Sequence, residues 1–294
     1  MKIVHFIVNP IAGGGKNWIT EHYLNKFFET DKFKTVVKYS NYKGHAKLLT
    51  EESVVEKAQI IVACGGDGTI NEVASILVNS EIVLGIIPIG SGNGLAASLN
   101  IPKDIVESIA LIKRNNTSLI DIGRANESYF FSNMGIGFDA EVINCYQLGG
   151  RHRLIGYIKS IVTTFFEFKS LENISVELAG KSRNISPFLF FISNSSILGY
   201  NVSLTKKASL QDGLLDVVLI ENTNKLKILW ISFLVLLRQS KRIKGLHHEQ
   251  VRSLKLVSEN GSYKWLTQQD GESLVVDKKE IEIEVLPNAL KVLV

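Results

Sequence analysis

Cysteine is scarce in this sequence. Cys64 and Cys145 are the two cysteines in 294 residues. That is too few for the paired framework that staples small secreted folds, so a reducing compartment is expected. Cys64 stands just ahead of a glycine turn and reads as a small packing residue rather than a nucleophile. Charge of one sign is also lacking. Lys and Arg number 33 against 29 for Asp and Glu, a net +4. This does not call for nucleic acid as a partner, and it suits an anionic substrate or a membrane surface. No apolar run is long. The longest, residues 228–237 (ILWISFLVLL), is half of the roughly 20 residues a spanning helix needs. The first residues lack the pattern of a signal peptide: Lys2 sits inside a short strand-like run that enters a glycine turn, with no small-residue cleavage site. Internal repeats and low-complexity segments are absent. The expected location is the cytoplasm, with one edge able to touch the inner membrane surface.

What is present is an ordinary globular composition, 45% apolar and 21% charged, in a chain long enough for two domains. Its most informative stretch is 59–77. An apolar run (59–63) leads into Gly65-Gly66-Asp67-Gly68-Thr69, and residues 71–77 then carry helical spacing. Strand, glycine turn and helix in that order let a backbone come close to something polar while one carboxylate points at it. A bare phosphate would repel that acid; a phosphate carrying Mg²⁺ would not.

The same unit recurs on either side. Residues 2–8 read as a buried first strand, followed by Asn9-Pro10-Ile11-Ala12-Gly13-Gly14-Gly15-Lys16 and a helix expected over 18–28. Residues 81–87 read as another strand, followed by Gly90-Ser91-Gly92-Asn93-Gly94 and a helix beginning at 95–99. The first of these turns lacks the spacing of a P-loop and of a full dinucleotide fingerprint. Three such turns together point to a nucleotide site, because in an open parallel α/β sheet they share the C-terminal edge of the strands. Between them, 34–39 reads as a strand and 44–55 as a helix, with His45 either packing at the helix start or lying near phosphate.

After a helix over 104–113 and a strand over 118–123 carrying Asp121, the texture changes to short β-type runs: 128–133, 174–179, 188–193, 214–220, 251–257, 273–276, 281–285 and 290–294. The domain change is placed between 121 and 126. Two helical interruptions are expected. One is 154–168. The other, 225–238, is more apolar and is bracketed by basic residues, which suits contact with anionic lipid.

The ordered motifs carry a family likeness. Val8-Asn9-Pro10 with Gly13-Gly14, Gly65-Gly66-Asp67-Gly68-Thr69, Gly90-Ser91-Gly92-Asn93, Gly135-Ile136-Gly137-Phe138-Asp139, Asp212-Gly213-Leu214-Leu215-Asp216 and Asp270-Gly271-Glu272 resemble the diacylglycerol kinase catalytic-domain family. The resemblance implies an α/β plus all-β fold in two domains. An N-terminal Rossmann-like domain of the NAD kinase and phosphofructokinase type (1–123) would be completed by a returning strand (289–294). A C-terminal antiparallel β-sandwich (124–288) would handle the lipid, with the nucleotide in the cleft between the two.

The same resemblance implies an ATP- and Mg²⁺-dependent lipid kinase acting on a diacylglycerol or sphingoid-like acceptor at a membrane surface, with a homodimer left open. Asn9, Gly13, Gly14, Gly15, Ser40, Gly65, Gly66, Gly68, Thr69, Gly90, Ser91, Gly92, Asn93 and Arg153 (or Arg151) would border the nucleotide. Asp67 would hold the catalytic magnesium, Glu272 would be the general base and Asp270 its neighbour. Asp121, Asp139 and Glu141 would face the acceptor, and Asp212, Leu214 and Asp216 match a structural magnesium site. Gly94 stands where many bacterial relatives carry a further acid, which leaves the acceptor open. Two other readings share the glycine turn: a soluble-substrate kinase of the NAD kinase type, and a nucleotide-binding regulator without catalysis.

Overall fold

The structure is a computed structural model. It describes residues 1–15, 19–90, 92–149, 154–168, 171, 174–178, 180–196, 205–221, 224, 246–259 and 264–294. The chain divides into two compact units, Met1–Asp121 with Pro287–Val294, and Ile122–Leu286.

The first unit is built on parallel strands β1 (Lys2–Val8), β2 (Phe33–Tyr39), β3 (Ile60–Gly65) and β4 (Val83–Pro88), in the order β2-β1-β3-β4. β3 and β4 are buried along their whole length. This is why they read as continuous apolar runs rather than alternating ones. Helices α1 (Glu21–Leu24), α2 (His45–Val55), α3 (Asp67–Leu77), α4 (Gly94–Ser98) and α5 (Ile105–Arg114) connect the strands.

Helix α5 shows how locally its ends are written. The Asp104 carboxylate accepts the Val106 and Glu107 N–H groups, Lys113 and Arg114 occupy the last turn, and Asn115 closes it at φ 56°. Helix α1 is much shorter than the apolar spacing predicts. Its last turn closes through Lys26 N–H to Tyr23 and Phe27 N–H to Leu24, and Phe28 swings in to meet Phe6 and Phe33 edge-on. Core packing overrides helical continuation there.

The second unit is a sandwich. Strands β5 (Thr117–Ala125, which begins in the first unit), β6 (Ser128–Phe130), β8 (Ile174–Leu178), β9 (Lys181–Ile185), β13 (Ser253–Ser258) and the first half of β16 (Glu280–Leu293) supply one layer. The other runs β12-β11-β10-β7-β14-β15 and is antiparallel throughout. It comprises β12 (Leu246–Val251), β11 (Leu215–Glu221), β10 (Pro187–Ser193), β7 (Asn133–Gly137), β14 (Lys264–Gln269) and β15 (Glu272–Asp277). Phe130, Met134, Ile136, Phe190, Ile192, Leu215, Val217, Leu254, Trp265 and Ile283 fill the space between the layers.

β10 is buried on both faces. Phe190 and Ile192 point into the sandwich, while Phe188, Leu189 and Phe191 join Phe138, Phe165 and Phe168 on the outside. Those last three belong to or follow α6 (Phe138–Leu148) and α7 (Leu154–Glu167).

Several expectations need correcting. Helix α6 has no counterpart in the sequence reading, because its apolar face is narrow and its start is hidden in a glycine-rich strand end. The single run 128–133 is two strands, and 251–257 is two strands separated at Arg252. The runs 281–285 and 290–294 are one strand, β16, bent at Asn288 with φ 53°. That strand pairs antiparallel with β13 in its first half and parallel with β4 through Val292 and Leu84 in its last. The expected apolar helix at 225–238 lies outside the described residues.

Candidate phosphate and acceptor sites

All three glycine turns leave the C-terminal ends of β1, β3 and β4, and they pack directly on one another. A Cβ on Gly13 would stand 2.7 Å from Ile89 Cγ2, one on Gly90 would stand 2.5 Å from the Gly66 Cα, and one on Gly92 would stand 2.5 Å from an Asp67 oxygen. Glycine is therefore required by close approach between turns. In the first loop it is also required by conformation, since Gly13, Gly14 and Gly15 all have positive φ.

Polar groups stitch the same contacts. Asn9 donates from Nδ2 to Thr69 Oγ1 at 3.2 Å, and its Oδ1 accepts the Ile11 N–H at 3.1 Å. Asp67 Oδ2 accepts the Asn93 N–H at 2.8 Å, and Oδ1 accepts the Gly94 N–H at 2.7 Å. Asn93 donates from Nδ2 to the Gly90 carbonyl at 2.6 Å, leaving its own Oδ1 buried with no hydrogen-bond partner. Gly68 lies in the first turn of α3, which Asp67 opens.

A hard cation fits this donor set. Mg²⁺ takes one or two carboxylates and fills the rest of its shell with phosphate oxygens and water. Asp67 brings a carboxylate, and the orphaned Asn93 carbonyl oxygen is of the right chemistry. Asp67 makes a contact that the sequence did not suggest: it fixes the third turn relative to the second.

Ser40 is buried at the end of β2, with its N–H on the Val8 carbonyl. His45 packs flat against Tyr42 at 4.6 Å and accepts the Asn41 N–H on Nδ1, which is the packing role of the two expected for it. Glu72, on α3, escaped the sequence reading. Its carboxylate accepts the Gly44 N–H at 2.7 Å and the Ala46 N–H at 3.1 Å, tying the start of α2 to the helix that Asp67 opens. Its place five residues after Asp67, on the helix that Asp67 opens, was the available signal. Ser91, Arg151 and Arg153 lie outside the described residues.

Asp121 is buried and accepts the Asn288 N–H at 2.8 Å. It supports the bend of β16, a contact that the reading of Asp121 as an acceptor-facing acid did not foresee.

In the second unit, Asp270 and Gly271 form the two-residue tip of the β14–β15 hairpin, with φ of 48° and 82°. This is the Asp-Gly turn that the twist of a hairpin favours. The Asp270 carboxylate accepts three backbone N–H groups, from Phe131 (2.8 Å), Ser132 (2.7 Å) and Asn133 (3.1 Å). It anchors a neighbouring loop, and Glu272 follows at the first position of β15.

Asp139 and Glu141 sit in the first turn of α6. Asp139 Oδ2 accepts from Gln268 Nε2 at 3.3 Å, while Oδ1 is buried with no partner. Burial pushes its carboxyl up to about 7, and the Gln268 hydrogen bond opposes that rise. A Cβ at Gly135 would fall 1.6 Å from Asp139 Oδ2, so the glycine of β7 makes room for the acid. Partial burial also raises the Glu141 carboxyl.

Asp216 is fully buried. Its Oδ1 lies 2.5 Å from His248 Nε2 and its Oδ2 accepts from Gln250 at 3.4 Å, while Asp212 accepts the Leu214 N–H at 3.1 Å within its own turn. The Asp216 carboxylate is already engaged by β12, and among the described residues no three His, Cys, Asp or Glu side chains gather as a cage.

With this geometry established, comparison with known proteins decides the family. Residues 3–125 match the model of the diacylglycerol kinase catalytic domain, and residues 132–294 match that of the YegS C-terminal NAD kinase beta sandwich-like domain. The chain belongs to the diacylglycerol kinase catalytic-domain family. It is a YegS-like member by its second half, and the family is one of kinases.

A Pectobacterium atrosepticum protein named "Probable lipid kinase YegS-like" is 31% identical over 62% of this chain and 63% of its own length. The diacylglycerol kinase of Bacillus subtilis is 27% identical over 80% of this chain and 79% of its own. The chain thus spans less than two thirds of the first of these relatives. A solved candidate diacylglycerol kinase of Bacillus anthracis shares the fold at a TM-score of 0.79 and 24% identity, covering 99% of this chain and 94% of that one. Yeast NADH kinase shares it at a TM-score of 0.54 and 10% identity, covering 99% and 82%. The two-domain α/β and β-sandwich architecture of the family is the one described above.

Proposed function

We propose that this diacylglycerol kinase-like protein transfers the γ-phosphate of ATP to a hydroxyl group of a lipid, with Mg²⁺ required. The observation that carries the reading is the mutual packing of three glycine turns at one sheet edge, with Asp67 joined to two of them. Phosphoryl transfer is dominated by positioning and charge neutralisation, and this edge offers backbone donors and one carboxylate in a fixed frame. Mg²⁺, held by Asp67 and the free oxygen of Asn93, would neutralise charge on the phosphates.

A lipid hydroxyl is a weak nucleophile, and Glu272 is the carboxylate assigned to take its proton. Asp139 and Glu141 are assigned to the acceptor's polar end, and Asp139 keeps a buried oxygen available for it. The acceptor lies in a bilayer. Helix α7 supports a membrane-facing role for the second unit, because Ile158, Val162 and Phe166 form an outward apolar stripe while Ser160 and Thr164 are buried.

The test is transfer of label from γ-labelled ATP to a dispersed panel of diacylglycerol, monoacylglycerol, sphingoid bases, ceramide and undecaprenol, with NAD added as a soluble acceptor because the fold is shared with yeast NADH kinase. Asp67→Asn keeps one acceptor oxygen and sets its NH₂ against the other amide, so it should stay folded at a somewhat lower melting temperature while losing transfer by about 100-fold or more. An active Asp67→Asn protein, or a wild type that phosphorylates NAD and no lipid, would sink the reading.

A further inference from the structure

We propose that Gln268 is the positioning residue for the hairpin tip that presents Glu272. The inference rests on the reading of Glu272 as the general base given above. Gln268 is only 4% exposed, yet each end of its amide has a partner. Oε1 accepts the Gly271 N–H at 3.1 Å, and Nε2 donates to Asn133 Oδ1 at 2.8 Å and to Asp139 Oδ2 at 3.3 Å. The orientation of this amide is forced. Turned over, it would set its NH₂ against the Gly271 N–H and its oxygen against a carboxylate and a carbonyl. The adjacent Gln269 makes the contrast, since its buried Nε2 has no hydrogen-bond partner.

Other restraints on the tip act on residues beside Gly271, among them the Asp270 N–H donated to the Asn133 carbonyl at 2.9 Å. The β14–β15 register fixes the strands, pairing Gln269 with Glu272. The three amides gathered by Asp270 fix the first tip residue against the loop 131–133. Gly271 has no side chain, its φ is 82°, and its N–H is held by Gln268. Gln268 therefore sets the Asp270–Gly271 peptide plane, one peptide unit ahead of Glu272. Through Asn133 and Asp139 it refers that plane to β7 and to the first turn of α6, the elements assigned to the acceptor. Loss of the clamp is expected to cost some stability, as unpaired buried polar groups do, but to leave the fold in place, because register and loop anchoring survive it.

The test uses the full-length protein, ATP and the best lipid of the panel. Gln268→Met removes both ends of the clamp at similar volume. Gln268→Glu keeps an acceptor for Gly271 and sets a second carboxylate against Asp139. Both variants should lose kcat by about 100-fold, with KM for ATP close to the parent's and a melting temperature that is lowered but still well above the assay temperature. The acid limb of the kcat–pH profile should move, and amide exchange at the 269–273 segment should speed up in Gln268→Met. Glu272→Gln is measured alongside. An inactive Glu272→Gln together with full kcat in Gln268→Met overturns the proposal alone. So does a loss of kcat matched by a collapse of the melting temperature in both variants. A fully active Glu272→Gln overturns the general-base reading, and the proposal with it.

Discussion

Single atoms decide much of this molecule, and Gly90 is the clearest instance. Its Cα hydrogen faces the Gly66 backbone, and an added methyl would meet Gly66 Cα at 2.5 Å and Asn93 Oδ1 at 2.8 Å. Neither neighbour can yield without moving a turn. Gly90→Ala should therefore cost about 1–3 kcal/mol, as overpacking generally does, and should lower transfer activity as well; urea unfolding and the labelled-ATP assay read the two effects.

Asp139 behaves differently, because its cost is electrostatic. Burial raises its carboxyl to about 7 from an ordinary 3.8. The folded protein thus keeps a proton that the unfolded chain releases above about pH 4. The stabilisation is complete below that point and is lost as pH rises through about 7. Asp139→Asn keeps an oxygen for Gln268 and has nothing to ionise. Its melting temperature should match the parent's at about pH 4 and exceed it at about pH 8. A parent that is equally stable at both ends relative to this variant would contradict the assignment.

At the scale of elements, short segments are held by carboxylates placed on someone else's backbone. Asp270 gathers three amides of the loop between β6 and β7, Glu72 gathers two at the start of α2, and Asp121 receives the one at the bend of β16. Buried or half-buried donors left without an acceptor cost about 1–3 kcal/mol each. Asp270→Ala should therefore destabilise the second unit by at least about 3 kcal/mol, and Asp270→Asn, whose one oxygen can still accept the Ser132 and Asn133 amides, by distinctly less. Chemical unfolding followed by Trp265 fluorescence would read this, since that indole is buried in the sandwich and donates to the Lys278 carbonyl at 2.8 Å. Equal losses in the two variants would mean that charge rather than hydrogen bonding holds the loop. Asp270 is in this sense a structural neighbour of Glu272: it fixes the loop, and Glu272 follows from the same turn.

Acid stability, at the scale of the whole molecule, is a sum over groups that the folded state holds away from their ordinary protonation. His5 is the histidine for which this matters most. It is buried on β1; burial keeps its pKa low, and the nearby Glu56, with Oε2 at 3.7 Å, compensates only in part. The unfolded chain protonates this side chain below about pH 6.5 while the folded one resists. The stability it confers is therefore present above that pH and is lost as pH falls toward the lower folded value. The melting temperature should drop between about pH 7 and pH 5.5, and His5→Phe should flatten that drop. An unchanged slope in the variant would assign it to other groups.

The sequence by itself determined the periodic and the punctuated features. Buried parallel strands carry uninterrupted apolar runs, turns that must touch one another carry glycine, and an Asp-Gly pair between β-type runs makes a two-residue hairpin; each is a local steric or solvation rule. Hence the strand–turn–helix units, the two-part α/β and β architecture and the family itself were legible. The tertiary structure alone decided which polar atom meets which. Helix α6 was invisible because its burial depends on a sheet face assembled from β7 and β14. Strand β16 reads as two runs because its continuity is secured at Asn288 by Asp121, 167 positions away in sequence. Gln268 and Gln269 are identical neighbours in the sequence. They part company only when alternation along β14 turns one toward Asp139 and Gly271 and the other toward the opposite face, because hydrogen bonds are satisfied by geometry that composition does not encode.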